Sequence, residues 1–355
     1  MNLSKNGLAQ AINNVIRYMT RMRNPNHRID IDPIDPVSFE AWEWTQGVGL
    51  YGLHKYAEIT GDPALLAMLE GWYDRRAKEP AVVKNINTMA PLLTLACLCE
   101  TKPDAARMAL CKEWADWAMN ELPRTIDGGF QHITTVDINE EQLWIDTLFM
   151  TVLFVAKHGV LTRQPALVEE ATNQFLIHIK YLFARKTGLW HHGWCFIGRH
   201  NFAEAHWGRG NCWFTAAVVD FIEMASPPPA TTAYLAATLR AQADALARHQ
   251  TADGMWRTLI DDPASYPETS GTAGFCYGIL KGVRKGFLDK SYEALGLRAL
   301  EAVFRNIAPD GCVNNVSYGT PMGTTKEFYN KIPIQPMPYG QSLAILALTE
   351  GLRHV

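Results

Sequence analysis

RGNCWFTAAVVDFIE, residues 209–223, and SGTAGFCYGILKGV, residues 270–283, decide the fold. Each is apolar nearly all round at helical spacing, with glycines and small residues instead of a charged face. WTQGVGLYGLHKYAEI (44–59), IDTLFMTVLFVAKHG (145–159) and PYGQSLAILALTEG (338–351) share this character. A helix hydrophobic on every face is buried between other elements. The starts of these segments lie roughly 50 to 65 residues apart, the spacing of helical-hairpin repeats.

Working outward, helical periodicity predicts twelve helices, near 5–20, 40–60, 63–78, 87–101, 104–120, 140–158, 165–182, 204–225, 230–249, 270–286, 290–307 and 339–352. Every second link is short and capped in the expected way, as in Gly61-Asp62-Pro63, Lys102-Pro103-Asp104 and Pro227-Pro228-Pro229. The other links are long and rich in Gly, Trp, His and Pro. Helices following the short links, such as 104–120 and 230–249, are amphipathic. Six all-apolar helices inside six amphipathic ones predict an all-α fold, an (α/α)6 barrel of six helical hairpins forming one catalytic domain over residues 1–355. An open α-solenoid is the alternative, but it does not explain an inner set buried on both sides.

Composition narrows the function. Lys+Arg number 33 against 36 Asp+Glu, a net charge of -3, so nothing suggests the basic face that nucleic acid requires. The most apolar run, Leu148–Ala156, is far short of the roughly 18 residues that span a membrane. Seven scattered Cys without metal-ligand spacing read as buried, reduced thiols. The N-terminus reads as an amphipathic helix without a signal peptide's apolar run. A soluble, cytoplasmic protein is expected, with no cofactor and no metal, as a monomer or homodimer.

The 11 Trp are a surplus, since Trp is rarely wholly buried and offers flat faces to ligands. Polar and aromatic residues collect at the N-terminal ends of the inner helices: Trp42, Trp44 and Gln46; Asn85 and Asn87; Trp144 and Asp146; His191, His192 and Trp194; His206, Trp207, Arg209, Asn211 and Trp213; Glu268, Thr269 and Ser270. Packing alone would not put them at one end of the barrel. Aromatic platforms among amide, His and Arg groups suit a carbohydrate, which offers C–H faces and hydroxyls. Asp146, at the entry of a nearly uncharged helix, has two opposed readings. The helix dipole lowers a carboxyl pKa there, whereas apolar surroundings would raise it and make a proton donor.

WIDTLFM (144–150), HHGW (191–194), HWGRGNCW (206–213) and ETSGTAGFCYGILKGVRKGFLD (268–289), in this order and spacing, resemble the unsaturated rhamnogalacturonyl hydrolases of glycoside hydrolase family 105, relatives of the family 88 unsaturated glucuronyl hydrolases. The resemblance runs from WTQGVGLYGL to the C-terminal helix and implies an (α/α)6 barrel. It implies removal of a terminal 4,5-unsaturated uronic acid from lyase-generated oligosaccharides, a small oligosaccharide being the only partner. Asp146 matches the family's acid, which protonates C4 of an enol ether before water adds at C5. Trp144, His192, Trp207, Arg209 and Trp213 match substrate contacts, with Trp44 and Asn87 also expected at the site. Trp207 and Trp213 would stack on sugar, Arg209 would hold the uronate carboxylate, and His192 would donate to a hydroxyl. Two departures stand out. Relatives often carry a second Asp near Asn85-Ile86-Asn87, and an Asp where this chain has Cys195. Three alternatives remain: an epimerase or isomerase using a His pair such as His192 and His206; an inverting glycosidase pairing Asp146 with Glu204 or Glu268; and a non-catalytic barrel that binds oligosaccharide.

Overall fold

The computed structural model describes residues 3–25, 27, 34–79 and 81–355. Its helices are α1 (Lys5–Met19), α2 (Trp44–Thr60), α3 (Pro63–Arg76), α4 (Ala90–Thr101), α5 (Ala105–Asn120), α6 (Leu153–Thr162), α7 (Pro165–Leu182), α8 (Gly208–Ala225), α9 (Pro229–His249), α10 (Thr269–Arg284), α11 (Glu293–Arg305), the short α12 (Lys326–Asn330) and α13 (Pro338–Gly351). Helices α2, α4, α6, α8, α10 and α13 each pack on the next, and α13 returns to α2, closing the ring. Burial follows the sequence pattern. Every residue of α13 is buried, as is α8 from Gly208 to Ile222, whereas α1 buries only Leu8, Ala11, Ile12, Val15, Ile16 and Met19, one stripe at helical spacing.

Small residues let the inner helices touch. A Cβ on Gly278 would fall 2.3 Å from the Thr215 carbonyl oxygen, and one on Gly52 would fall 2.3 Å from Ser342 Oγ. The short links turn as their residues dictate, with Asp62 capping α3 through the Ala64 N–H and Pro opening α3, α7 and α9. Because α2, α4, α6, α8, α10 and α13 run in one direction, all six long loops lie at their N-terminal ends.

Six short strands embroider those loops: β1 (Gln142–Trp144), β2 (Phe183–Ala184), β3 (Leu189–Trp190), β4 (Gly193–Cys195), β5 (Trp256–Arg257) and β6 (Pro267–Glu268). They pair antiparallel as β1–β4, β2–β3 and β5–β6. This corrects the helix expected over 140–158: residues 142–144 form a strand, and a five-residue π-helical turn, Leu148–Val152, leads into α6. The apolar run is the same in both readings, but pairing with Gly193–Cys195 wins its first residues. Among the described residues no helix is long and apolar enough to cross a membrane.

Candidate active site

The β1–β4 ladder builds the centre of the site. Trp144 pairs with Gly193, and the Ile145 N–H donates to the His192 carbonyl at 3.0 Å. This register sets Asp146, the next residue, against the His192 side chain. The Asp146 carbonyl accepts from the N–H groups of Phe149 and Met150, so the carboxyl stands at the first turn of the inner helix, where a π-turn interrupts regular geometry. Such turns recur at functional sites.

Asp146 opens into a cavity of about 510 Å³. Trp44, Asn87, Asp146 and Met150 line it from the N-terminal ends of inner helices. His132, Thr134, Val136, Asp137, Asn139, Gln142 and Trp144 come from the loop before α6, while Phe202 and the Gly319–Met322 stretch with Thr324 close the far side. Among the described residues the lining contains two acids and neither Lys nor Arg. Asn85, by contrast, is consumed locally: its Oδ1 accepts from Asn87 and Thr88 N–H groups, and its amide donates to Thr135. Of the two amides, Asn87 is the one that faces the cavity.

Two histidines flank Asp146. His192 Nε2 lies 3.3 Å from Asp146 Oδ2, within ion-pair reach although off the line of a good hydrogen bond. Its Nδ1 lies 2.8 Å from Tyr329 Oη, which already accepts from the Gly323 N–H. Where the phenol gives its proton to Nδ1 and not to Met322 Sδ, 3.8 Å away, the His192 proton sits on Nε2, facing the carboxyl. The same logic applies to His132. Its Nδ1 is 2.9 Å from Thr147 Oγ1, and where that hydroxyl donates, the His132 proton sits on Nε2. Burial pushes His132 down to about 3 and keeps it neutral, stacked on Trp144 at 4.3 Å between centroids. For Asp146 itself burial opposes ionisation, but His192, with smaller contributions from His132 and Arg209, outweighs it and holds the carboxyl below its ordinary range. The direction is the one expected of a helix N-terminus, but its cause is His192 and not the helix.

Several expected contact residues sit one layer back. Arg209 is wholly buried between Trp207 and Tyr339, 4.7 and 4.6 Å from their ring centres. Its guanidinium donates to the Ser317 carbonyl (2.9 Å) and hydroxyl (2.5 Å), the Tyr318 carbonyl (2.9 Å) and Thr320 Oγ1 (2.8 Å). It fastens the cavity loop and has Glu268 at 4.0 Å, instead of presenting a free fork to a carboxylate. Trp207 packs in a small cluster with Leu259, Tyr329 and Ile332, and Trp213 is buried under Trp44, 6.2 Å away edge-on. Trp194 stacks on Tyr181 outside the cavity, and Trp42 binds the Thr88 carbonyl from a separate outer groove. Trp144 and Trp44 remain as cavity tryptophans, Trp44 braced face-on against Tyr339 at 4.6 Å.

The rival bases are occupied or absent from the lining. The Glu268 carboxylate caps α10, accepting from the Ser270 hydroxyl and the N–H groups of Ser270, Gly271 and Ser317. His206 pairs with Asp261 at 2.8 Å. Glu204 is exposed on its loop. Among the described residues, no group of three or more His, Cys, Asp or Glu is placed to hold a metal ion. His132, Asn139, Gln142 and Phe202 escaped the sequence reading because they lie in long loops, where no periodicity marks which side chains turn inward.

Residues 16–355 match the model of glycosyl hydrolase family 88. The chain is 29% identical over 331 residues to the unsaturated rhamnogalacturonyl hydrolase YesR of Bacillus subtilis, covering 91% of this chain and 94% of that one. Among solved structures it is similar to a possible member of the GH105 family from Klebsiella pneumoniae, with 45% identity, TM-score 0.97 and coverage of 100% of this chain and 95% of that one. A possible GH105 member from Salmonella enterica serovar Paratyphi A shows 44% identity, TM-score 0.97 and coverage of 100% and 96%. The family match takes in all six inner helices and the loops that carry Asp146, His192 and Arg209, and on that evidence the chain belongs to glycosyl hydrolase family 88.

Proposed function

We propose that this glycoside hydrolase removes the terminal 4,5-unsaturated uronic acid from lyase-generated oligosaccharides, unsaturated rhamnogalacturonan fragments being the substrate class, with Asp146 as general acid and base. One observation carries the reading: an inner-helix carboxylate beside His192 that opens into a cavity with no Lys or Arg among the described residues. A conventional glycosidase needs two carboxylates at a fixed separation across the scissile bond. Here the remaining acid of the lining, Asp137, is exposed and accepts the Asn139 N–H at the rim. An enol ether asks for less, because it is protonated on carbon by a single well-placed acid.

In the proposed sequence Asp146 delivers its proton to C4, and the C4–C5 electron pair forms the new C–H bond, leaving an oxocarbenium-like cation at C5. Asp146, now a carboxylate, takes a proton from water as the water oxygen bonds to C5. The hemiketal opens to a C5 ketone, and C1 then expels the aglycone as an alcohol. Asn87, His132 and Gln142 supply hydrogen bonds to ring hydroxyls, and Trp44 and Trp144 supply flat walls. A proton must reach Asp146 before chemistry. The substrate's own carboxylate provides the cause, since a like charge close by raises a carboxyl pKa.

The test follows the ultraviolet absorbance of the conjugated double bond in lyase-digested rhamnogalacturonan, with glycosaminoglycan and algal digests alongside. Wild type should bleach the first, and Asp146→Asn should lose roughly two to three orders of magnitude in kcat with its circular dichroism unchanged. Release of saturated sugars without bleaching, or near-normal turnover by the variant, would overturn the proposal.

A further inference from the structure

The tryptophans expected as sugar platforms, Trp207 and Trp213, are buried, and the cavity carries instead an aromatic that no pattern marked. Phe202 lies in the loop between β4 and α8 with a left-handed backbone, φ 55°. That region suits Gly and is costly for a bulky side chain. Arg199 and Glu204, on either side, are also left-handed. The conformation is held from several directions. The Asn201 amide donates to the Gly193 carbonyl at 2.9 Å and the Tyr181 carbonyl at 3.3 Å. The Phe202 N–H donates to His200 Nδ1 at 3.1 Å, and Cys195 and His200 exchange backbone hydrogen bonds beneath the turn.

What this strain achieves is the placement of a ring. Phe202 lines the Asp146 cavity yet belongs to neither hydrophobic cluster of the protein. It crosses Gly193 so closely that a Cβ there would meet its ring at 3.3 Å and Met322 Cε at 2.4 Å. A half-buried phenylalanine in a disfavoured conformation, contributing to no core, is the kind of outlier found where function demands a side chain. Asp146 stands at the N-terminal end of an inner helix and is 14% exposed, whereas Phe202 comes from the β4–α8 loop, and Val136 and Pro321 in the same lining are exposed. With the unsaturated ring against Asp146, the next sugar extends towards this more exposed wall, to which Phe202 belongs.

We infer that Phe202 is the aglycone platform, stacking on the sugar attached to the unsaturated uronyl residue and setting the preference for a glycosylated over a small aglycone. The inference rests on the proposed activity. It is tested with Phe202→Ala, Phe202→Gly and Phe202→Tyr on two substrates, the unsaturated galacturonyl–rhamnose disaccharide and the methyl glycoside of the same unsaturated uronate. Ala and Gly should lower the ratio of kcat/KM between disaccharide and methyl glycoside by about tenfold, through KM, and Tyr should restore most of it. Melting separates this from a packing role: Phe202→Gly should keep Tm within about 2 °C of wild type or raise it, because strain is relieved. An unchanged ratio, with or without a fall in Tm, overturns the inference alone. Failure of the wild type to bleach either substrate overturns the proposed activity, and the inference with it.

Discussion

Replacing His192 by Asn tests how Asp146 is controlled. In the native site Nε2 lies 3.3 Å from the carboxylate. There the imidazole presents its Nε2–H to the carboxylate, and a hydrogen bond offered to the ionised form holds a carboxyl down. Burial, the largest influence on Asp146, acts upward and persists in the variant. The carboxyl should therefore rise when the imidazole is removed. An acid catalyst loses a tenfold fraction of its protonated form per pH unit above its pKa, and kcat/KM, which reports the free enzyme, falls with it. The alkaline limb of the kcat/KM profile should accordingly begin at higher pH in His192→Asn, even if the plateau is lower because the carboxyl is less well aimed. Tyr329→Phe, which removes the hydroxyl donating to Nδ1, should move the limb the same way by less. Stability carries the same sign. A carboxyl with a depressed folded pKa stabilises above its unfolded value and loses that contribution as pH falls through the folded one. Acid unfolding of the variant should start from a correspondingly weaker native state. The assay is initial-rate bleaching from pH 4 to 9. An alkaline limb that does not move in the variant would refute the claim that His192 holds the Asp146 proton equilibrium.

Other outcomes follow from particular contacts. Arg209→Met should loosen the loop it fastens, so amide hydrogen exchange over residues 317–324 should accelerate at least tenfold while KM rises, and unchanged exchange would contradict its placement. Lys281→Met takes the ammonium from Asp220, leaving it the Tyr51 and Tyr277 hydroxyls, and leaves Glu223 with Lys285; it should cost about 3–5 kcal/mol, read as a marked fall in Tm. Glu223 is pulled down to about 2, burial notwithstanding, by Lys281 and Lys285. Its contribution is present above about pH 4.5 and should fade between there and pH 2, visible as a Tm drop in wild type that is smaller in Lys281→Met. Gly193→Ala drives a methyl into Met322 and the Leu143 carbonyl, 2.9 Å away, and should lower kcat/KM by an order of magnitude or more by displacing the ladder that aims Asp146.

The barrel was legible because its two helix sets differ in a property that composition records. A segment such as Pro338–Gly351, buried at every residue, cannot be mistaken for the striped α1. Asp146 was legible as a candidate because a carboxylate opening an uncharged apolar helix is conspicuous. Which neighbours line its cavity was not, because register decides it. One residue along β1 separates Leu143, buried in the core, from Trp144, on the cavity, and periodicity is silent in loops. Arg209 shows a second limit. Its chemistry suits a carboxylate, and sequence could not reveal that Ser317, Tyr318 and Thr320 would already occupy its N–H groups.

The distribution of charge along the barrel axis ties these points together. Six inner helices running one way add their dipoles, so their C-terminal ends converge as a negative pole. Lys55, Lys157, Lys281, Arg284, Lys285 and Arg353 gather there, around a second cavity shared with Glu58, Asp220, Glu223 and Glu350. The cations outnumber the acids by two, an excess that offsets part of a pole worth roughly half a charge per helix. At the other end the N-termini of α2, α4 and α6 reach the Asp146 cavity, whose lining among the described residues holds no Lys or Arg. In the proposed reaction an anionic sugar entering that end would meet a positive pole made of backbone N–H groups. A Lys or Arg at the lining would hold the uronate and disarm the acid together. Helix dipoles, weaker and spread over three termini, would attract the substrate while leaving its carboxylate free to raise Asp146 towards the proton that the proposal has it donate.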